Sequence, residues 1–135
     1  MSLERRVIAP WPGDEHLAFL QGGIEVNGGR TLYLSGQAAN DGSKVMHVGD
    51  LLAQVMMSLD KIQIALDLAS YRWSDVVRLN WYIRADHLEQ FFRIAHGPFK
   101  KRLDLMGCRA PGVLLGVAGL ALPEMLCEFE ATAVR

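Results

Sequence analysis

The stretch from Val113 to Leu120 restricts the fold of this chain more than any other, because each of its residues is apolar or glycine. A strand of this composition has no face that favours water, so we expect buried residues on both of its sides. Four further strand candidates and two helical segments accompany it, and two helices cover only one face of a five- or six-stranded sheet. The sequence therefore predicts an α+β fold whose second sheet face is covered by self-association.

The N-terminal third predicts an irregular arm followed by a hairpin. Residues 1–16 carry Pro10, Pro12 and Gly13 and are predicted to lack regular structure. Residues 17–26 and 30–36 are strand-like and are joined by Asn-Gly-Gly, which supplies the positive φ of a tight turn. We expect these two strands to pair with each other.

Two segments have helical periodicity, and two more strands follow them. Residues 50–70 carry apolar residues three and four positions apart, and Asp50 is placed to cap the first turn. A second stripe begins after Asp86, another predicted N-cap, and Gly97-Pro98 inside it predicts a kink or a split. Residues 76–84 and 126–134 are predicted strands, and Glu128 and Glu130 share one face of the second.

Composition and charge exclude several classes of function. The 135 residues contain 14 Lys+Arg and 15 Asp+Glu, a net charge of −1, so no long-range field attracts nucleic acid or an anionic membrane. Cys108 and Cys127 are too few for a disulfide framework, and no close pairing of cysteine or histidine indicates a metal. No apolar run is long enough to span a membrane. We expect one cytoplasmic domain over residues 1–135, with no cofactor, no metal, no nucleic-acid partner and no membrane partner.

Four pieces of the chain, in this order and spacing, resemble one known superfamily. They are Leu34-Ser35-Gly36-Gln37, Ala53-Gln54, Asp75-Val76-Val77-Arg78, and the final segment Leu126-Cys127-Glu128-Phe129-Glu130-Ala131-Thr132-Ala133-Val134. On these the chain resembles the reactive intermediate deaminases (Rid or YjgF-like proteins, also labelled endoribonuclease L-PSP). The resemblance implies a chorismate-mutase-like α+β fold, with two helices on one face of a mixed sheet. It also implies a homotrimeric barrel with small-molecule clefts between subunits.

The resemblance also implies a set of site residues. In active family members a glutamate on the last strand activates water to attack a C=N bond, and Glu128 falls on that position. The Ser-Gly-Gln loop falls on Ser35, Gly36 and Gln37, which makes these residues candidates for substrate binding. The family tyrosine falls on Phe19, and an asparagine of the second helix falls near His96.

The family arginine that grips the substrate carboxylate has no counterpart in this chain. Its position falls on Gly112 or Val113, depending on a one-residue gap before Pro123. Arg109 lies three or four residues earlier, about 10 Å away along an extended chain at ~3.3 Å per residue. Arg109 reaches the site only if the intervening turn folds back. Arg84 and a cation from a neighbouring subunit are the other replacements.

Three functions remain open from the sequence, so whether the chain is an enzyme is itself open. The first is hydrolytic deamination of 2-imino or enamino acids in intersubunit clefts, with Glu128 as the catalytic residue. The second is a non-catalytic protein that binds a less acidic metabolite in the same clefts, which Phe19 and Val113 would make more apolar. The third is an endoribonuclease or translation inhibitor. The neutral charge balance and the absence of interleaved basic and aromatic residues disfavour this third function.

Overall fold

The core of the protein is a mixed four-stranded sheet with its helices on one face. The computed structural model describes residues 3–13 and 15–135. Its strands are β3 (Thr31–Tyr33), β6 (Val76–Arg84), β7 (Leu114–Val117) and β8 (Cys127–Val134). They lie in the order β3, β8, β6, β7, and only the β6–β7 pair is parallel. The predicted fold class, α+β with two helices on one face of a mixed sheet, is confirmed, although the sheet has four strands rather than five or six.

Two short ribbons flank this sheet, and they correct two predictions. β1 (Glu4–Ile8) pairs with β2 (Gly23–Asn27), and β4 (Asn40–Asp41) pairs with β5 (Lys44–Val45). The predicted irregular arm over 1–16 is therefore wrong at β1, while residues 1, 2 and 14 lie outside the described residues. Residues 4–8 form a strand because β2 supplies a pairing partner. The ribbon is also tied to the rest of the fold, since the guanidinium of Arg5 donates to the carbonyl oxygens of Ser74, Asp75 and Val134.

The predicted hairpin between residues 17–26 and 30–36 is also wrong in its pairing. Gly28 and Gly29 do turn the chain with φ of 87° and 78°. Beyond the turn, however, Arg30 exchanges backbone hydrogen bonds of 2.7 and 3.0 Å with Arg135, and β3 pairs with β8. The turn therefore joins two sheets, because the C-terminal strand competes successfully for β3.

Helix α1 (Leu51–Leu68) forms as its periodicity predicts. The Asp50 carboxylate accepts a 3.1 Å hydrogen bond from the amide of Ala53, which satisfies one of the free donors of the first turn. The apolar stripe is fully buried against the sheet; its members are Leu51, Val55, Leu59, Ile62 and Leu66.

The second helical region runs without a break from residue 88 to residue 105. It consists of α2 (Leu88–Gln90), a π-helical turn (Phe91–Ala95) and α3 (His96–Leu105). Pro98 lies in the first turn of α3, where its missing amide is tolerated, so the predicted split at Gly97-Pro98 does not occur and the irregularity is the π turn that precedes it. Asp86 is not an N-cap: it lies in a 3₁₀ turn and accepts hydrogen bonds from Arg84.

The two faces of the four-stranded sheet differ sharply. The helix-covered face is formed mainly by Leu79, Trp81, Ile83, Phe129 and Ala131, all nearly inaccessible to solvent. The open face carries Tyr33, Val113 and Leu115, which are 78%, 43% and 48% exposed. The predicted strand at 113–120 is shorter in the structure, where β7 is an edge strand over Leu114–Val117 with an apolar open face. Its burial by self-association stays a prediction, because the structure holds one chain.

Candidate functional site

Glu128 lies on the open face of β8 beside the loop that follows β3. The backbone of Gln37 exchanges hydrogen bonds of 2.7 and 2.9 Å with that of Phe129, and this bridge places Gly36 against Glu128. A Cβ atom added at Gly36 would overlap the Glu128 carboxylate. Gly36 therefore allows the Glu128 side chain to lie directly against this loop, and a larger residue here would displace that side chain. Ser35 is exposed, and its carbonyl oxygen accepts from the Gln37 side chain.

A surface cavity of about 460 Å³ opens next to the Glu128 carboxylate. Its walls include Gly36, Asn40, Ser43, Leu122, Met125 and Glu128. The Glu128 carboxylate accepts no side-chain hydrogen bond within the described part of the chain, so both of its oxygens are available to a ligand or a water. No lysine or arginine lines this cavity among the described residues.

Two side chains of α1 hold the loops of this cavity in place. Gln54 is fully buried; its Oε1 accepts from the amide of Leu126 at 2.8 Å and its Nε2 donates to the carbonyl oxygens of Glu124 and His47. Lys61 Nζ donates to the carbonyl oxygens of Ala38 and Asn40 at 3.0 and 3.1 Å. Neither role was predicted, although the Ala53-Gln54 motif marked the first of the two positions.

Phe19 and His96 lie on the other face of the sheet. The ring of Phe19 packs edge-on against Trp81 with a centroid separation of 5.6 Å, and the His96 ring lies 6.2 Å from Trp81. Burial lowers the pKa of His96, and Lys100 and His16 lower it further. Because Trp81 faces the helices and Glu128 faces the open side, one chain does not bring these two groups of predicted site residues together.

The position of the missing arginine is restricted to residue 113. A Cβ atom on Gly112 would overlap the carbonyl oxygen of Leu79, so no larger residue fits there. Val113 is on the open face; its amide donates to Asn80 Oδ1 at 3.2 Å and its carbonyl oxygen accepts from Trp81 at 2.8 Å. A longer side chain at position 113 would therefore start on the same face as Glu128.

Both arginines predicted as replacements already make other contacts. Arg109 Nη1 donates to the carbonyl oxygen of Leu17 at 3.0 Å, which ties down the segment that carries Phe19. Arg84 donates to Asp86 and to the carbonyl oxygen of Pro123. These bonds from Arg84, together with His87, lower the pKa of Asp86 to about 2. These contacts orient both guanidinium groups toward other partners.

Sequence reasoning missed a hydrogen-bond network centred on Glu130. Tyr82 Oη and Asn80 Nδ2 both donate to Glu130 Oε1, the latter at 3.0 Å. These bonds lower the pKa of Glu130, and the bond to Glu130 is the main cause of the raised pKa of Tyr82. The only sequence signal for this network was the alternation of residues along β8, and alternation does not distinguish Glu128 from Glu130. The contacts distinguish them, because Glu130 is already engaged.

The two cysteines are buried, and burial raises the pKa of each thiol to about 12. Among residues 3–13 and 15–135, no group of three or more histidine, cysteine or acidic side chains is placed to hold a metal ion. In the same ranges no helix combines the length and the apolar character needed to cross a bilayer.

The chain is similar to a family of known sequences and structures. Residues 18–135 match the family model described as Endoribonuclease L-PSP. The crystal structure of YyfB from Yersinia pestis, a protein of unknown function of the Rid family, is 33% identical, covers 97% of this chain and 98% of its own, and superposes with a TM-score of 0.84. No curated protein matches the chain at a significant level.

More distant structures share the fold. A Mycobacterium tuberculosis member of the YjgF/YER057c/UK114 family is 21% identical, with 98% and 100% of the two chains covered and a TM-score of 0.63. TdcF of E. coli, solved with bound serine, is 22% identical, with 78% and 80% covered and a TM-score of 0.66.

Proposed function

The chain belongs to the Rid/YjgF family, whose sequence model is described as Endoribonuclease L-PSP, and on this basis we propose that it hydrolyses small 2-imino or enamino acids in clefts between its subunits. The observation that carries the proposal is the Glu128 carboxylate, which borders a cavity of about 460 Å³ and accepts no side-chain hydrogen bond from the described residues.

In the proposed reaction Glu128 is the catalytic residue. Its carboxylate accepts a proton from a water whose oxygen forms a bond to C2 of the substrate, while the π electrons of C=N move to nitrogen, which is protonated. The hydroxyl of the resulting carbinolamine then loses its proton, which is transferred to the nitrogen through Glu128, and its oxygen forms C=O as the C–N bond breaks. Ammonia leaves and a 2-keto acid remains. Ser35, Gly36 and Gln37 bind the substrate beside Glu128.

The second half of each cleft comes from a neighbouring copy in this proposal. Phe19 and His96 pack on the covered face of the sheet and Glu128 lies on the open face, so a complete pocket needs another chain. The exposed apolar side chains Tyr33, Val113 and Leu115 support burial of the open face in a cytoplasmic homotrimer. Sedimentation velocity at micromolar concentration should give a trimer, and a folded monomer would overturn the proposed cleft.

The activity is tested by ammonia release from 2-iminobutanoate generated in situ. We expect Glu128→Gln to lose at least 100-fold in kcat/KM. Glu130→Gln is the matched control on the same face of β8, and it should lose less than tenfold because that carboxylate is held by Tyr82 and Asn80. Equal losses in the two variants, or no turnover by the unmodified protein, would contradict the proposal.

One observation favours non-catalytic binding of a less acidic metabolite as a second candidate. Arg84 and Arg109 both donate to other groups, and Val113 offers no charge. A pocket without a free cation loses a charged hydrogen bond to a carboxylate, about 1.5–3 kcal/mol. Isothermal titration with a 2-keto acid and with its uncharged methyl ester distinguishes the two. Tighter binding of the ester would favour the second candidate.

A further inference from the structure

The segment between β1 and β2 carries an aromatic cavity that the proposed reaction does not yet use. Trp11 is 60% exposed, an unusual position for so large an apolar ring. Together with Phe19 and Gln21 it lines a cavity of about 400 Å³. Trp11 and Gln21 also border a second cavity, of about 440 Å³, beside the ends of β1 and β2. We call the first of these the aromatic cavity.

The Phe19 wall of the aromatic cavity is fixed before any ligand arrives. Its ring packs edge-on against Trp81, which in turn packs against Phe99 at 4.6 Å. The backbone on both sides of Phe19 is also held. Arg109 Nη1 donates to the carbonyl oxygen of Leu17, and the amide of Leu20 donates to the carbonyl oxygen of Ala110 at 3.2 Å. A ligand that contacts Phe19 therefore orders few additional groups.

The Trp11 wall lies between two prolines, which limit the backbone conformations open to this position. Among the described residues the aromatic cavity is lined by two rings and one side-chain amide, with no lysine, arginine, aspartate or glutamate. An ionic group gains no partner from these walls. A flat apolar ring gains contact with both, because aromatic rings prefer offset or edge-on packing against one another.

We propose that the aromatic cavity receives the substrate side chain and that the protein prefers 2-imino acids with an aromatic side chain over those with a methyl or ethyl group. This inference rests on the proposed function, in which Phe19 of one copy faces Glu128 of the next. Trp11 is then a specificity-determining residue. Its indole contacts the part of the substrate that does not react, so it changes the choice of substrate and leaves the water-activating step unchanged.

The test compares imines generated in situ from phenylalanine and from alanine. We expect kcat/KM to be at least tenfold higher for the phenylalanine imine. Trp11→Ala should lower that value about tenfold and change the alanine imine less than twofold, while Trp11→Phe should retain most of the preference. Leu105→Ala is the matched control, because it truncates an apolar side chain that is 79% exposed at the end of α3.

Binding of the products tests the aromatic cavity without relying on turnover. Phenylpyruvate should bind the unmodified protein at least tenfold more tightly than pyruvate by isothermal titration, and Trp11→Ala should abolish most of that difference. Equal values for the two ligands, or equal losses for both in Trp11→Ala, would overturn the inference even if both imines are hydrolysed. Selective binding without hydrolysis would support the aromatic cavity and contradict the deaminase.

Discussion

The two faces of the four-stranded sheet use their side chains in opposite ways. On the covered face Trp81, Phe99 and Phe129 pack ring against ring and are almost completely buried. On the open face Glu128, Glu130 and Tyr82 alternate with Trp81 and Phe129 along β8 and β6, and exposed apolar residues lie at the edges. The same strands therefore supply the packed core on one side and the proposed site on the other.

This difference teaches why the predicted site is divided. Phe19 and His96 lie on the covered face, where their rings pack near Trp81, whereas Glu128 and Gly36 lie on the open face. A sheet separates its two faces by its own thickness, so residues that alternate along a strand do not meet within one chain. Variants on the two faces should accordingly differ in which property they change.

The largest expected effect is on the covered face. Trp81→Ala removes a ring that is 1% exposed and leaves a cavity among Phe91 and Phe99, so we expect a loss of about 3–5 kcal/mol in the free energy of unfolding. Urea unfolding followed by circular dichroism at one protein concentration measures it. Leu105→Ala, at the exposed end of α3, should change the value by less than about 0.5 kcal/mol. A loss below about 1 kcal/mol for Trp81→Ala would contradict the view that the covered face supplies most of the stability.

The next effect is a gain of activity on the open face. Val113→Arg places a guanidinium on the face of Glu128 without displacing a buried group, since Val113 is 43% exposed. A restored charged hydrogen bond of about 1.5–3 kcal/mol predicts a roughly ten- to hundredfold rise in kcat/KM for 2-iminobutanoate. Val48→Arg adds the same charge at an exposed residue before α1 and should leave the rate unchanged. Equal rates for both variants would show that residue 113 does not face the substrate.

A smaller effect concerns the pH dependence of stability through Glu130. Hydrogen bonds from Tyr82 and Asn80 lower the pKa of Glu130 in the folded state. Its charged form therefore stabilises the fold above about pH 4.3, the ordinary value, and this contribution is lost as the pH falls through the lowered folded pKa. Glu130→Gln should cost about 1 kcal/mol at pH 7 and less at pH 3, as measured by urea unfolding at both pH values.

A pair of tyrosine variants on the open face tests the source of this pH dependence. Tyr82→Phe removes one donor to Glu130 and should reduce the pH dependence of the free energy of unfolding. Tyr33→Phe, at a side chain that is 78% exposed on β3, should leave it as in the unmodified protein. If all variants keep the full pH dependence, the Glu130 network is not its source.

The smallest effect is at His96, beside the covered face. Burial is the main cause of its lowered pKa, and Lys100 adds to it by repulsion. Lys100→Gln should raise the pKa of His96 toward its ordinary value without restoring it, as followed by NMR titration of the imidazole. Lys101→Gln, the adjacent change of equal charge, should have no effect. A full return to the ordinary value in Lys100→Gln would show that burial contributes little.

Local patterns were sufficient where an element is stabilised by its own residues. α1 begins after Asp50 and buries its predicted stripe, and β6 and β8 lie within a residue of their expected bounds. The same reasoning failed for β1 and for the 17–36 hairpin, whose pairing depends on distant partners. For β7 it overestimated the length of the strand, and the burial by self-association that the apolar sequence predicts is not tested by one chain.

For the candidate site, the family resemblance selected Glu128, Ser35 and Gly36, whereas alternation along the strand treated Glu128 and Glu130 alike. The fold adds a physical difference between the two glutamates, because Tyr82 and Asn80 reach Glu130 from the neighbouring strand. The sequence showed that neither residue 112 nor residue 113 is an arginine. It did not show that Gly112 has no room for a side chain, because that depends on the position of the carbonyl oxygen of Leu79.

The amino-acid sequence by itself determined the helix stripes, the alternation of the central strands and the lack of a family cation, because these depend on residues close together in the chain. The tertiary structure alone decided which strands pair, which glutamate keeps a free carboxylate and which aromatic rings surround Phe19. These depend on contacts between residues tens of positions apart, whose partners are chosen by competition among all the strands and helices at once.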